Sequence, residues 1–295
     1  MLRALALVAA IGCGVLFPQL SSQAGWIRWI LFAMLFLGFS AMPLQRLRPE
    51  KAHLRLLLVW PFFMVLGWVI LLPFGRDAQL AGLLVAATPT ATAAPVITGM
   101  LGGDVGFVSV ALLGSNVLGA LFLPLLLAMV GADRTLRLGS GQVPSTLPFL
   151  LQTLGLVLLP LGLSIAVRAL PGSGPTLRKL RRLSFPLWLA ALVLASAKSS
   201  DFLRNHPETE ISTVLAIAGG SALLCSLHFL VGRAIGGKER ALEAGQSLGQ
   251  KNTMVTLWLG LSVFGPVPAL GPAFYVLWHN LWNASQMARK DLRKR

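Results

Sequence analysis

The sequence predicts an all-α polytopic membrane protein: ten transmembrane helices arranged as two inverted five-helix repeats, residues 1–135 and 136–295. Three observations predict it: extreme apolarity, a one-sided distribution of basic residues, and an interruption in the fourth span of each half. Of 295 residues, 55% are hydrophobic and only 12% charged, with a mean hydropathy of +0.74, against about 25% charged in a soluble domain. A chain this apolar cannot hide its side chains inside one water-soluble core.

At ~20 residues per span, the apolar runs place spans at 3–20, 25–45, 52–73, 77–101, 103–130, 144–169, 184–200, 210–235, 240–264 and 267–288. The first follows Arg3 and resembles a signal peptide, with Ala10-Ile11-Gly12-Cys13 faintly like a lipoprotein cleavage site. Its removal would leave an odd number of spans and divide the basic segments between two sides, so it reads as a retained helix. Ten spans put Arg3, Arg46, Arg48, Lys51, Arg55, Arg168, Arg178, Lys179, Arg181, Arg182, Arg233, Lys238, Arg240 and the tail Arg289 to Arg295 on one side. The opposite side holds Arg28, Arg76, Arg134, Arg137, Lys198 and Arg204. Positive-inside bias then gives an inner-membrane protein with both termini cytoplasmic. The net charge of +15 is explained by orientation and by contact with anionic headgroups of membrane lipids. Nucleic acid is not an expected partner, because its recognition wants basic residues massed on a soluble face with interleaved aromatics.

No Gly-rich phosphate loop, Cys-x-x-Cys pair or His-Glu-x-x-His is present, and the ten carboxylates fall mostly in loops. An enzyme is therefore not expected, nor any cofactor or metal site. Cys13 and Cys225, both in apolar runs, read as packing residues. His53 and His206 read as loop residues in water, and His228 as a packed or hydrogen-bonded core residue.

The loop Asp133 to Val143 divides the spans into five plus five, and an odd number per half forces the halves into opposite orientations. The fourth span of each half is broken, which points to a midplane site. In the first half, Pro89 and Pro95 each remove a backbone N–H, while Thr88, Thr90 and Thr92 supply hydroxyls for the freed carbonyls. In the second, Gly245 to Thr253 is a polar run before the apolar Met254 to Phe264, and Asn252 or Thr253 is placed to cap the second half-helix. Lys251 is placed near the midplane, where a lysine costs at least ~2.5 kcal/mol unless it meets polar surroundings or water.

At these breaks the sequence resembles the bile acid:sodium symporter family. That family's Pro-Gly-Gly-Thr-Ala-Ser-Asn stretch is matched by Pro89-Thr90-Ala91-Thr92-Ala93-Ala94-Pro95, followed by Gly103-Asp104. Its Glu-x-Gly-x-Gln-Asn-Ser is matched by Ser247-Leu248-Gly249-Gln250-Lys251-Asn252-Thr253, and its Trp-His-Asn by Trp278-His279-Asn280. The resemblance implies a core domain of the third to fifth and eighth to tenth helices, with the fourth and ninth crossing, packed on a panel of the first, second, sixth and seventh. It also implies that the family's sodium ligands fall at Ala94, Pro95, Ser247 and Lys251, where they are largely replaced, and near Val108 and Leu112.

The expected function is thus a monomeric secondary active transporter of a small or medium organic anion, independent of sodium. In it Lys251 stands in for a sodium ion, either proton-linked or as a uniporter. The coupling or ion-site residues are Lys251, Ser247, Gln250, Ala94 and Pro95. The substrate-binding residues are Thr90, Thr92, Asn252 and Thr253, with His279 and Asn280 carried over from the family motif. The alternatives are a sodium-coupled symporter with a reduced ion site and a non-transporting membrane receptor.

Overall fold

A computed structural model describes residues 2–42, 47–131, 146–205 and 210–292, and these are helical almost throughout. In chain order the α-helices are α1 (Leu2–Leu16), α2 (Trp26–Ser40), α3 (Lys51–Ile70), α4 (Arg76–Ala87), α5 (Ala94–Leu101) and α6 (Val105–Gly131). They continue with α7 (Thr146–Ala169), α8 (Ser173–Leu180), α9 (Ser184–Asn205), α10 (Ile211–Gly249), α11 (Thr253–Val263) and α12 (Pro266–Leu292).

Local chemistry sets the boundaries that matter for the site. Glu50 opens α3 with a capping box: its side chain takes the His53 backbone N–H, and His53 Nδ1 takes the Glu50 N–H at 2.8 Å. Thr88 ends α4 because Pro89 comes next; its φ of −62° and ψ of 129° are the extended geometry that a proline imposes on its predecessor. α5 begins on Ala94-Pro95, where a missing N–H costs nothing, and stops at Gly102, left-handed at φ 88°. Asp104 then caps α6, its Oδ1 accepting from Gly106 N at 2.8 Å and Phe107 N at 3.3 Å.

α10 is not one rod. Gly237 (φ 60°, ψ −151°) and Arg240 leave helical geometry. A Cβ on Gly232 would meet Gly245 Cα at 2.9 Å, and one on Gly236 would meet Ala241 N at 2.9 Å. Residues that far apart in sequence touch only if the chain turns back on itself, so α10 is a long arm ending near Gly236 and a short arm, residues 241–249, returning along it.

α4 lies at the centre, buried from Ala78 through Ala87 apart from Gln79, and packs against α3, α10, α11 and α12. Small residues allow this. Gly67 of α3 and Gly82 of α4 bring their backbones into contact, and a Cβ on Gly271 of α12 would lie 2.6 Å from Ala81 O. α1, α2, α7 and α9 pack on one another, and α6 and α12 join the two groups.

Among the described residues, four helical stretches are long and apolar enough to cross a membrane: Lys51–Ile70, Val105–Leu123, Ser173–Asn205 and Ile211–Gly249. α3 carries an exposed apolar stripe, Leu54, Leu58, Phe62, Val65 and Val69, at the three-to-four-residue spacing of one helix face. A surface of this kind meets lipid, and the protein is membrane-associated.

The expected fold of ten transmembrane helices as two inverted five-helix repeats, with panel and core, is corrected by this count. The reason is length. Residues 77–101 split into α4 and α5, about 18 Å and 12 Å long at 1.5 Å per residue, against a hydrocarbon core of about 30 Å. Residues 240–264 split into the returning arm and α11, about 16 Å long, and α1 and α2 reach only about 22 Å each. α12 is long enough, but Asn280, Asn283, Gln286, Arg289, Lys290 and Asp291 make its second half polar. The loop Asp133 to Val143 and the boundary between residues 135 and 136 lie outside the described residues, as does His206. His53 is not a loop residue in water: it is the third residue of α3 and buried.

Candidate functional site

The two interruptions meet. Between α4 and α5 and between α10 and α11 the chain is extended, and Thr90 and Lys251 face each other in an isolated antiparallel bridge. Ala91 N donates to Gln250 O at 2.7 Å and Asn252 N to Pro89 O at 2.8 Å. Pro89 has no N–H to leave unpaired, and its carbonyl is the one used.

Around this junction the freed carbonyls are answered by side chains, as burial requires. Thr90 Oγ1 donates to Ser247 O at 2.7 Å, and Thr90 N donates to Ser115 Oγ at 3.0 Å. Asn116 Nδ2 donates to Thr90 O at 2.8 Å and to Leu112 O at 2.9 Å. Thr88 Oγ1 and Thr256 Oγ1 lie 2.7 Å apart, and Tyr275 Oη donates to Gly249 O at 2.9 Å. α5 and α11 start at the junction while α4 and the returning arm of α10 end there, so positive and negative helix ends alternate.

Lys251 is the exception. It is 3% exposed, its backbone is part of the bridge, and its ammonium makes no hydrogen bond or ion pair among the described residues. It lies within electrostatic range of Cys225 and His228 and close to the C-terminal carbonyls of α4 and α10, the ends of helices that favour a cation. The junction is held by backbone bonds of Gln250 and Asn252.

Lys251 lines a cavity of about 280 Å³ bounded by α3, α6, Thr88 to Thr90 and Ser247-Leu248. Its wall is mainly apolar, from Leu56, Leu57, Trp60, Val110, Ala111 and Leu248, with Thr90, Ser115 and Ser247 beside Lys251. At the far end are Glu50 and His53. Glu50 is taken by Arg240, with Nη2–Oε1 2.6 Å and Nε–Oε2 3.2 Å, and Arg240 also reaches Asp104 Oδ2 at 3.3 Å. His53 Nε2 lies 2.9 Å from Phe107 O and Nδ1 accepts from Glu50 N, so the ring is held at both nitrogens.

The sequence-selected residues divide accordingly. Thr90, Ser247 and Lys251 line the cavity, and Asn252 and Thr253 are buried directly after them. Asn252 occupies the cap position of α11 without a side-chain cap bond; its Nδ2 points to Asn116 Oδ1 at 3.5 Å. Gln250 turns away: its Oε1 accepts from Asn283 Nδ2, in a chain in which Gln246 Nε2 donates to Asn283 Oδ1 and Gln286 Oε1. Ala94 and Pro95 are buried at the start of α5, and Thr92 packs on Gly38 of α2. His279 stands edge-on to Tyr275 with Nδ1 buried and unpartnered, and Asn280 Nδ2 donates to Val276 O at 2.6 Å. None of these last five residues lines the cavity.

Sequence reasoning passed over Ser115 and Asn116, although a Ser-Asn pair inside the apolar run of α6 is the signal that a costly polar residue leaves. It also passed over Asn283 and Gln286, one and two turns beyond the Trp278-His279-Asn280 motif.

No protein-family model matches the chain, and no curated protein matches it. The resemblance to the bile acid:sodium symporter family, carried by short degenerate motifs, is therefore corrected, since the ten-span fold it implies is not what the described residues form. The secondary active transporter built on that fold, whether sodium-independent through Lys251 or sodium-coupled, is corrected with it.

Proposed function

We propose that this membrane-associated protein binds a small organic anion, with an apolar body in the cavity between α3 and α6 and an acidic head at Lys251. The observation that carries this is a buried ammonium with no partner among the described residues, lining a mainly apolar cavity. An isolated buried charge is expensive; an anion that pairs with it recovers that cost on binding. Ser115 and Thr90 supply hydroxyls beside it. Glu50 does not repel such a ligand at the cavity's far end, because Arg240 already neutralises it.

Our reading is of a binding cavity. Its ionisable lining is Glu50, His53 and Lys251. The first is held by Arg240 and the second between Glu50 N and Phe107 O, which leaves Lys251 as the group that faces a ligand without a bond of its own among the described residues. We place the protein in a cell inner membrane. The basic segments around Arg46 to Arg55 and Arg289 to Arg295 go to the cytoplasmic side by positive-inside bias, and the four stretches among the described residues that are long and apolar enough to cross are compatible with that. Reporter fusions at both ends check the orientation.

The binding test is thermal unfolding of detergent-purified protein titrated with octanoate, octanol and octylamine. Octanoate is expected to stabilise saturably, since a ligand that stabilises prefers the native state, and octylamine is expected to do nothing. Equal stabilisation by octanol would refute a role for the acidic head.

A further inference from the structure

We infer that the chain holds a second anion site, for the phosphate of an acidic phospholipid headgroup, in the cavity between the end of α2 and the α7–α8 turn. That cavity measures about 470 Å³ and is lined by Ser40, Met42, Arg168, Ser173, Gly174 and Arg181, among others. It shares no residue with the cavity at Lys251.

The two arginines are anchored without being neutralised. Arg168 Nη1 donates to Met42 O at 2.6 Å, and Arg181 Nη2 donates to Ser40 O at 3.4 Å, both carbonyls at the C-terminal end of α2. A guanidinium has five N–H donors in a planar fork, so each keeps most of its donors. Arg181 Nε is buried with no hydrogen-bond partner among the described residues. Neither arginine forms an ion pair among the described residues, and no Asp or Glu occurs anywhere between Asp133 and Asp201. The charges of Arg168 and Arg178 instead act on Arg181. Cations held together against their own repulsion beside an open polar cavity fit a phosphate, which the arginine fork meets bidentately.

The surroundings choose the source of that phosphate. Leu170, Leu180 and Leu183 are exposed beside the arginines, and α7 and α9 on either side carry apolar stretches. A free phosphate has no use for exposed leucines, whereas a phospholipid lays its acyl chains on them while its headgroup enters the cavity. Basic pockets beside membrane helices take anionic headgroups in this way.

The experiment is thermal unfolding of the full chain in detergent with added phosphatidylglycerol, phosphatidylcholine or inorganic phosphate, with retained lipid counted by native mass spectrometry. Phosphatidylglycerol is expected to stabilise and to be retained, phosphatidylcholine to do neither, and inorganic phosphate to act only at far higher concentration. The double variant Arg168→Gln, Arg181→Gln is expected to raise the phosphatidylglycerol midpoint about tenfold or more, as for loss of charge-assisted hydrogen bonds. Arg182→Gln, which removes one charge at an exposed residue outside the cavity, is expected to leave it within about twofold. Should the double variant fail to fold, Ser173→Glu keeps both arginines on their carbonyls and puts a carboxylate where the phosphate would sit; it too is expected to abolish retention. The proposal is overturned if phosphatidylcholine is retained equally, if Arg182→Gln weakens binding as much as the cavity variants do, or if Ser173→Glu retains lipid normally. It is also overturned if inorganic phosphate matches the lipid at equal concentration, which would make the site one for a soluble anion.

Discussion

Lys251→Met should push stability and binding in opposite directions. Methionine keeps an unbranched side chain of similar reach and removes only the charge. In the native protein Lys251 is 3% exposed as a residue, its ammonium has no hydrogen bond or ion pair among the described residues, and a lysine inside a membrane protein costs at least about 2.5 kcal/mol. Allowing roughly 0.5 kcal/mol for the nearby helix C-termini, about 2 kcal/mol is regained on substitution. At about 2–4 °C per kcal/mol for domains of 150–250 residues, the unfolding midpoint rises by about 4–8 °C. The same variant loses its stabilisation by octanoate. Differential scanning fluorimetry with and without the ligand reads both effects in one experiment, and an unchanged backbone junction is checked by circular dichroism. If Lys251→Met unfolds below the wild type, the ammonium has a stabilising partner in the native state, and its role as an unanswered charge awaiting an anion is refuted.

Thr90→Val removes the donor to Ser247 O while keeping side-chain volume, and should cost about 1–3 kcal/mol because a buried carbonyl is left unanswered; Thr90→Ser should recover most of it in the same thermal assay. Gly82→Ala forces a Cβ against the Gly67 backbone and should cost about 1–3 kcal/mol. Gly12→Ala in α1, with open space around it, should cost nothing. Arg240→Met breaks the pairs to Glu50 and Asp104, but those side chains are 35% and 44% exposed, so the loss should stay below about 1 kcal/mol and shrink further at high salt. Denaturation at two ionic strengths measures it.

The breaks were legible in the sequence because their cause is covalent. Pro89 and Pro95 cannot sit inside a helix, and a run as polar as Gly245 to Thr253 stands out between apolar neighbours. That both breaks would pair backbone to backbone was not legible, since an isolated two-residue bridge has no side-chain signature. The span count failed for a related reason: hydropathy reads Leu, Val and Ala as membrane whether they face lipid or the centre of a helical protein. α4 is buried on every side and too short to cross, yet its composition is that of a span. His53 was misplaced because a charged, Pro-containing stretch hides a capping box, and the pairing of Arg240 with Glu50 and Asp104 was not legible because those partners are far from it in sequence.

Where a helix stops inside an apolar interior, the chain must answer each freed carbonyl and N–H locally. Thr88, Thr90, Ser115, Asn116, Thr256 and Tyr275 each have a hydrogen bond at this junction. Such residues are conspicuous in the sequence as polar intrusions, and most of them are accounted for by the junction's own backbone. A lysine is different in kind. It has no acceptor capacity to offer, its charge serves no bond at the junction, and a serine or glutamine there would cost far less. The burden of function therefore falls on a polar side chain at the junction whose charge no bond among the described residues uses, and on the cavity that Lys251 lines.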